Sequence, residues 1–251
     1  MSKTVLITGG TGKLGTAFVK ALSYEGHTVV FTSTTAEKID KLVATTSKGS
    51  RTQGFVADFH DPEAVPTLIE SLSRRRLFPD VLINNARNLQ NIRIEEGGGP
   101  TRAQWLNEFL LDVVVPYELS LAILRAPESR LRKVINISSM YGVVPFNPNL
   151  YEQPESQAPI NYSVAKSAQI HLTKELAVRL APSGVVVNSI AFGGVEGRTS
   201  EAFRTRYAQL CPMGRMLTDD EVTGAVSFLV SDASSGMIGH NLVVDGGWSV
   251  W

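Results

Sequence analysis

Tyr162 and Lys166 stand four residues apart at the start of a long helical run, Asn161-Tyr162-Ser163-Val164-Ala165-Lys166, so a phenol and an ammonium share one helical face. An ammonium beside a phenol favours the phenolate. It draws a proton affinity that ordinarily sits at about 10 toward neutral pH, where the group becomes a usable general acid and base. Ser139, at the end of a preceding apolar strand, offers a second donor to the same substrate oxygen. Taken alone, the Tyr-x-x-x-Lys spacing is weak, since any long helix can carry one on its solvent face. The elements around the pair decide what it means.

Residues 4–8 form a short β-branched run ending in Gly9-Gly10-Thr11-Gly12-Lys13-Leu14-Gly15, after which Leu14, Phe18, Ala21 and Leu22 recur at helical spacing. Strand, glycine turn and helix in that order make a seat for a pyrophosphate. Glycines allow a tight turn and close approach, and a helix N-terminus presents free N–H groups and the positive end of its dipole. A second strand over 27–32 brings Ser33 and Thr34 to the place where a dinucleotide fold selects its ribose. An acidic residue there would hold the two ribose hydroxyls of NAD and repel a 2′-phosphate, and none is present. Ser33, Thr34 and Lys13 could instead accept that phosphate, so the expected cofactor is NADP, with NAD as the alternative. All three also fit the plainer reading of solvated loop residues.

A third strand, 54–57, leads into Asp58 and Phe59, where Asp58 could accept from an adenine amino group, and a helix is expected to start near Asp61-Pro62. A fourth apolar strand, 81–83, runs into Asn84-Asn85-Ala86. Residues 97–100 read as a loop and not as a linker. The helix that follows is unusually apolar from Asp112 to Leu124, as one buried on more than one side would be. A fifth strand, 134–137, delivers Ser138 and Ser139, and the polar segment 145–159 reads as a substrate-side loop. A sixth strand, 185–190, is broken by Phe192-Gly193-Gly194 and followed by Val195. The stretch 196–207 reads as a mobile lid or as an ordinary surface helix. An amphipathic helix over 219–230 precedes a seventh strand, 241–244, closed by Asp245-Gly246-Gly247. This alternation predicts one domain over 1–251: an α/β, Rossmann-type, doubly wound parallel sheet of seven strands, with ligands at the strands' C-terminal ends.

Composition narrows the function. Of 251 residues, 43% are hydrophobic and 19% charged, enough for a large core. Lys plus Arg and Asp plus Glu are equal at 24 each, so no charge excess draws the chain to nucleic acid or to an anionic membrane, and a small-molecule substrate is expected. The single cysteine, Cys211, allows no internal disulfide and reads as a packing or loop residue in a reducing compartment. No signal-peptide pattern or membrane-length apolar run is evident, which makes the cytoplasm the expected location. His27, His60, His171 and His240 lack spaced acidic or cysteine partners, so no metal site is expected.

Thr8 to Gly15, Asp58, Asn84-Asn85-Ala86, Ser139, Tyr162-x-x-x-Lys166, Asn188 and Asp245-Gly246-Gly247 occur in the order and approximate spacing of the short-chain dehydrogenase/reductases, and the chain resembles that family over essentially its whole length. The resemblance implies that Tyr162 is the catalytic acid and base, that Ser139 orients and polarises a substrate carbonyl, and that Lys166 holds the nicotinamide ribose and favours the tyrosinate. Ser139 is preferred to Ser138 because Ser139-Met140-Tyr141-Gly142 has the family's Ser-x-x-Gly form. The resemblance further implies that Gly9, Thr11, Gly12, Lys13, Leu14 and Gly15 cradle the pyrophosphate. Asp58, Phe59, Asn84, Asn85 and Ala86 would line the adenine side, Gly193 and Val195 the nicotinamide side. It also implies a homodimer or homotetramer built through the helices around 112–124 and 162–180.

Several positions depart from the family pattern. The glycine spacing is Gly-x-x-Gly-x-x-Gly, Arg87 replaces the glycine after Asn-Asn-Ala, and Asp112 stands where an asparagine usually completes the catalytic group. Phe192 replaces a proline, and Thr199 stands in for a threonine expected at Gly197. The interval from Ser139 to Tyr162, 23 residues, is longer than usual. The segment from Ile137 to Lys166, with Tyr151-Glu152 inside the extra loop, is similar to members associated with bacterial flagellin and surface-glycan modification, which implies a sugar substrate for which Tyr151, Glu152, Gln153 and Asn161 would suit the hydroxyls. A ketone or 3-oxoacyl-carrier reductase is the alternative. A nucleotide-sensing regulator that does no chemistry is the alternative from another class, though it has no need of Ser139, Tyr162 and Lys166 together.

Overall fold

A computed structural model describes residues 2–46, 51–94, 98–197 and 199–251. Gly97 of the predicted loop and Arg198 of the 196–207 stretch lie outside the described residues. The seven strands are β1 Thr4–Ile7, β2 Thr28–Ser33, β3 Arg51–Val56, β4 Val81–Asn84, β5 Lys133–Ser139, β6 Val186–Phe192 and β7 Asn241–Val244. They form one sheet in the order β3-β2-β1-β4-β5-β6-β7, every neighbouring pair parallel. The order reverses direction beside β1, and in such sheets the crevice at that switch point receives the ligand.

Alternation along the strands sorts the core into two layers, because successive side chains point to opposite faces. Leu6, Val30, Leu82, Val134 and Val187 pack with the helices α3 (Ala64–Arg74), α5 (Val115–Arg125) and α7 (Ile160–Leu180). Val5, Ile7, Val29, Phe31 and Ile83 pack with α1 (Lys13–Tyr24), α2 (Ala36–Val43) and α9 (Asp219–Val230) on the other face. A third, smaller cluster sits over the C-terminal ends of the strands, where Met140, Leu150, Met216 and Trp248 meet Tyr207 of α8 (Glu201–Leu210).

Several boundaries differ from the pattern in the sequence. β3 begins three residues earlier than expected, at Arg51, and α3 begins at Ala64, with Asp61 and Pro62 in the preceding turn. Helix α2 was not foreseen; Ile39 and Leu42 alone among its eight residues are buried. The polar segment 145–159 is not structureless but holds a 3-10 turn, Pro148–Leu150, and the single helical turn α6 (Pro154–Gln157). Of the stretch read as a lid or a surface helix, residues 201–207 lie in a helix, Glu201–Leu210, that is exposed or half-buried apart from its anchor Tyr207, which is 1% exposed and accepts from the Gly194 N–H at 2.9 Å.

One irregularity bears on the site. Helix α4 (Arg102–Phe109) passes into a π-helical turn, Leu110–Val114, before α5 begins. Pro116 explains its position: proline lacks the N–H that an α-helix would aim at the carbonyl four residues back, which is that of Asp112. Single π-turns of this kind are frequent at functional sites.

Candidate active site

Strand β5 ends in two serines with different environments. The Ser138 hydroxyl donates to the Lys166 carbonyl at 3.1 Å and so ties β5 to α7. Ser139 accepts from the Tyr141 N–H at 3.2 Å, which leaves its own proton to donate elsewhere. Beneath this strand end, Lys166 is 5% exposed, and its ammonium donates to Asp112 Oδ1 at 2.8 Å, to the Ile137 carbonyl at 2.9 Å and to Gln169 Oε1 at 3.4 Å. Three acceptors match the three protons of an ammonium, which holds the group in one orientation. Lys166 Nζ lies 5.9 Å from the centre of the half-buried Tyr162 ring, and the Arg87 guanidinium stacks over the same ring at 4.4 Å. Position 87, expected to be a glycine, thus supplies a second cation to that ring. Ser139, Tyr162, Lys166 and Asp112 are gathered at one end of the sheet.

The glycine turn lies at the switch point. Gly9 has φ +65° and its α-carbon faces Ala86, where an added Cβ would meet the Ala86 Cα at 2.8 Å. A Cβ on Gly15 would drive into the Gly9 carbonyl, whereas Gly12, the N-cap of α1, is exposed and its α-carbon meets only the Gly9 oxygen. No side chain caps this helix and no acid lies in its first turn, so the first N–H groups remain for an anion. Asn85 braces the turn: its side-chain amide donates to the Thr8 and Gly9 carbonyls at 3.0 and 3.2 Å, and the Asn85 and Ala86 N–H groups both donate to Thr8 Oγ1 at 2.9 Å. The open backbone of the turn and the bare helix N-terminus fit a pyrophosphate.

Other expected cofactor contacts are placed differently. Lys13 does not reach Ser33 and Thr34; its ammonium donates to the Val195 carbonyl at 3.2 Å, because the first residue of α1 faces the loop after β6. Ser33 is buried and bonded to Thr11 at 2.7 Å, Thr34 is exposed, and neither is acidic. Asn84 faces the interior and not the adenine side, since its amide donates to Asn136 Oδ1 at 2.8 Å within a chain that continues to Thr173. Phe59 and Leu14 pack their side chains into the two core layers, which leaves only their backbones for a ligand. The Asp58 carboxylate is taken up by His60, whose backbone and ring nitrogens lie at 3.1 and 2.8 Å, and these bonds hold it below the usual aspartate range. Gly193 abuts the Asp245 backbone, with Val195 just beyond.

Above Ser139 the wall is phenolic and aromatic. Tyr141 and Tyr151 share a hydrogen bond at 2.6 Å; burial chiefly pushes both phenols upward, their mutual interaction adding to the shift at Tyr141 and opposing it at Tyr151. Tyr151 continues through Phe203 and Tyr207 to Trp248 as a run of ring contacts at 5.9, 6.5 and 4.7 Å. The residues expected to greet hydroxyls are engaged. Arg206 holds Glu152 at 3.1 Å, Gln153 accepts from Ser156, and Asn161 is fully buried with its amide donating to the Asn91 carbonyl at 2.8 Å.

Glu108 escaped notice in the sequence. It lies one turn before Asp112, is 1% exposed, and among the described residues neither carboxylate oxygen has a hydrogen-bond partner of ordinary geometry. Burial and then the neighbouring Asp112 push its carboxyl up to about 7, with Lys166, Arg87 and the Asn91 side chain opposing. The available signal was a charge four residues before Asp112, on the face that Asp112 shares.

A doubly wound parallel sheet with a bare glycine turn at its switch point defines a dinucleotide-binding α/β protein. More narrowly, residues 12–249 match the family model described as enoyl-(acyl carrier protein) reductase, and the chain belongs to this family, within the short-chain dehydrogenase/reductases. Similar proteins include the 3-oxoacyl-(acyl-carrier-protein) reductase FabG of Haemophilus influenzae, 28% identical over 253 residues (98% of this chain, 97% of the relative), and that of Buchnera aphidicola, 26% identical over 251 residues (98% and 96%). Among solved structures, a short chain dehydrogenase from Leptospira borgpetersenii with bound NAD+ superposes with a TM-score of 0.84 at 27% identity, covering 99% of this chain and 93% of the other. The chain is an NAD(P)-dependent oxidoreductase acting on CH–OH groups. No helix among the described residues is long and apolar enough to cross a membrane, and none of their His, Cys, Asp and Glu side chains cluster as a metal site.

Proposed function

We propose that the chain interconverts a ketone and its secondary alcohol with NADP, using Tyr162 as acid and base, Ser139 as the second donor to the substrate oxygen, and Lys166 with Asp112 as the fixed cation behind them. The observation that carries this reading is the three-acceptor anchorage of a buried Lys166 beside the Tyr162 ring. The nicotinamide supplies the hydride when the cofactor is bound. Ser139 and Tyr162 donate to the substrate oxygen, and Tyr162 gives up its proton as the oxygen gains charge. Gly9, Thr11, Gly12, Lys13, Leu14 and Gly15 would hold the pyrophosphate, Ser33 and Thr34 the ribose, Asp58, Phe59, Asn85 and Ala86 the adenine side, and Gly193 and Val195 the nicotinamide side. The lack of an acid at Ser33 and Thr34 supports NADP over NAD.

For the substrate, a 3-oxoacyl group or similar ketone is favoured over a sugar. Glu152, Gln153 and Asn161 already have partners, Tyr151 is bonded to Tyr141, and the wall they leave is aromatic. The relatives named above are 3-oxoacyl reductases. Exposed apolar residues on α5 and α7, Tyr117 at 45% and Val178 at 77%, support self-association through those helices into a homodimer or homotetramer. The cytoplasm is the proposed location.

Following NADPH and NADH absorbance with a panel of 3-oxoacyl thioesters, simple ketones and sugars tests the reading. Tyr162→Phe is expected to bind NADPH as the parent does while losing roughly 100-fold or more of the turnover. Full turnover in Tyr162→Phe overturns the assignment.

A further inference from the structure

Behind Lys166 the protein buries more negative charge than the ion pair needs. Asp112 gives Oδ1 to Lys166, but its Oδ2 is buried without a partner. Both oxygens of Glu108, the amide nitrogen of Asn91 and the amide oxygen of Asn161 are also buried and unpartnered. These groups are contiguous. Asn161 donates to the Asn91 backbone, the Asn91 side chain approaches Glu108 as a loose hydrogen-bond neighbour, Glu108 lies within electrostatic reach of Asp112, Lys166 and Arg87, and Asp112 grips Lys166. Orphaned polar atoms this far inside a protein are ordinarily joined by water or by a proton that one of them keeps.

Two carboxylates and one ammonium sum to a net negative charge, and the Asn91 side chain, which favours the charged form of Glu108, is neutral and closes no hydrogen bond of ordinary geometry to it. Arg87, the one other cation among the described residues that acts on it, is exposed and stacked on Tyr162. The charged form of an isolated buried carboxyl is strongly disfavoured, so the cluster is stable with one proton beyond the Asp112–Lys166 pair. Glu108 is the group free to carry it, since Asp112 is committed to Lys166.

We propose that Glu108 stores the proton that restores Tyr162 after each reduction and passes it toward the phenolate by way of Asp112 and Lys166. The balance is simple. In carbonyl reduction Tyr162 loses one proton to the substrate oxygen; Lys166 turns the proton of its longest bond, to Gln169 at 3.4 Å, to the phenolate and is left as an amine; the Glu108 O–H breaks as its proton passes to the unpartnered Asp112 Oδ2, and the Asp112 carboxyl turns and returns that proton to the Lys166 amine; Glu108 is left as a carboxylate and takes its next proton from solvent. Burial, followed by repulsion from Asp112, holds the Glu108 carboxyl at about 7, where it can both give and regain a proton. Glu108 touches no reacting atom, so it is a positioning residue that acts through Asp112 and Lys166. The inference rests on the reading of Tyr162 and Lys166 given above.

The test follows kcat against pH for reduction of a 3-oxoacyl thioester by NADPH in the parent, Glu108→Gln, Glu108→Asp and Tyr162→Phe. The parent is expected to lose kcat as pH rises through about 7, the titration range of Glu108. Glu108→Gln is expected to lack that limb and to run roughly tenfold slower below it, less than the loss of a direct acid catalyst, with KM unchanged. Glu108→Asp is expected to keep the limb. If Tyr162→Phe is inactive but Glu108→Gln keeps the parent's profile, the proton store alone is refuted; if Tyr162→Phe turns over normally, the underlying reading fails. A second readout needs neither turnover nor a folded variant. Infrared spectra of the parent protein without cofactor should contain the carbonyl stretch of a protonated buried carboxyl that disappears as pH rises through about 7, and its absence below that pH overturns the proposal.

Discussion

Replacing Glu108 by glutamine should remove a pH dependence of stability whose size can be worked out. The carboxyl titrates at 4.5 in an unfolded chain and at about 7 in the folded one, because it is 1% exposed and faces Asp112. At about 1.4 kcal/mol for each tenfold change, that difference is worth about 3 kcal/mol. The sign follows from which state holds the proton. Below about 4.5 both states are protonated and the side chain contributes nothing to the pH dependence. Between about 4.5 and about 7 the unfolded chain ionises while the folded one cannot, so stability falls as pH rises; above about 7 both are ionised and the loss is complete. Glutamine does not titrate, so the stability of Glu108→Gln relative to the parent should climb by about 3 kcal/mol across that window. His27, held low chiefly by burial, works in the opposite direction, since the unfolded chain binds its proton more readily than the folded one. It is common to both proteins and cancels in the difference. Urea unfolding of the two proteins at one concentration over a pH series measures the quantity. Stability curves that run parallel from acid to neutral pH would refute the reasoning about this carboxyl.

Asp112→Asn leaves Lys166 an oxygen to donate to but removes the charge that helps raise Glu108, so the Glu108 titration should move to lower pH in a carbon NMR experiment on labelled carboxyls. Gly15→Ala forces a methyl into the Gly9 carbonyl at the turn expected to hold the pyrophosphate, and should weaken NADPH binding by tenfold or more, roughly, in a fluorescence titration. Tyr207→Ala empties a buried site stacked on Trp248 at 4.7 Å and should lower unfolding free energy by about 3–5 kcal/mol in urea. Ser33→Asp places a carboxylate where the 2′-phosphate would lie and should shift the ratio of NADPH to NADH affinity toward NADH.

Local spacing accounts for what was legible without coordinates. The β-branched runs separated by helical periodicities dictate parallel strands with crossovers, and the glycine turn follows from its place after β1. The Tyr162 and Lys166 pair lies on one face because a helix repeats every 3.6 residues. The whole of α2 is not legible because it is one short helix of eight residues that buries only Ile39 and Leu42, and the ends of β3 and α3 are set by packing against neighbours and not by the local pattern.

Sequence by itself therefore determined the sheet, the glycine turn and the shared helical face of Tyr162 and Lys166, since each depends on residues close together along the chain. Tertiary structure decided the partners: Asp112 for Lys166 across 54 positions, Val195 and not Ser33 for Lys13, Asn136 for Asn84, and Arg206 for Glu152. It also decided that Glu108 is buried. A side chain's direction on a helix is local, but what meets it there depends on how the π-turn before Pro116 packs against α7, and burial turns an ordinary surface charge into a group that holds its proton at about neutral pH.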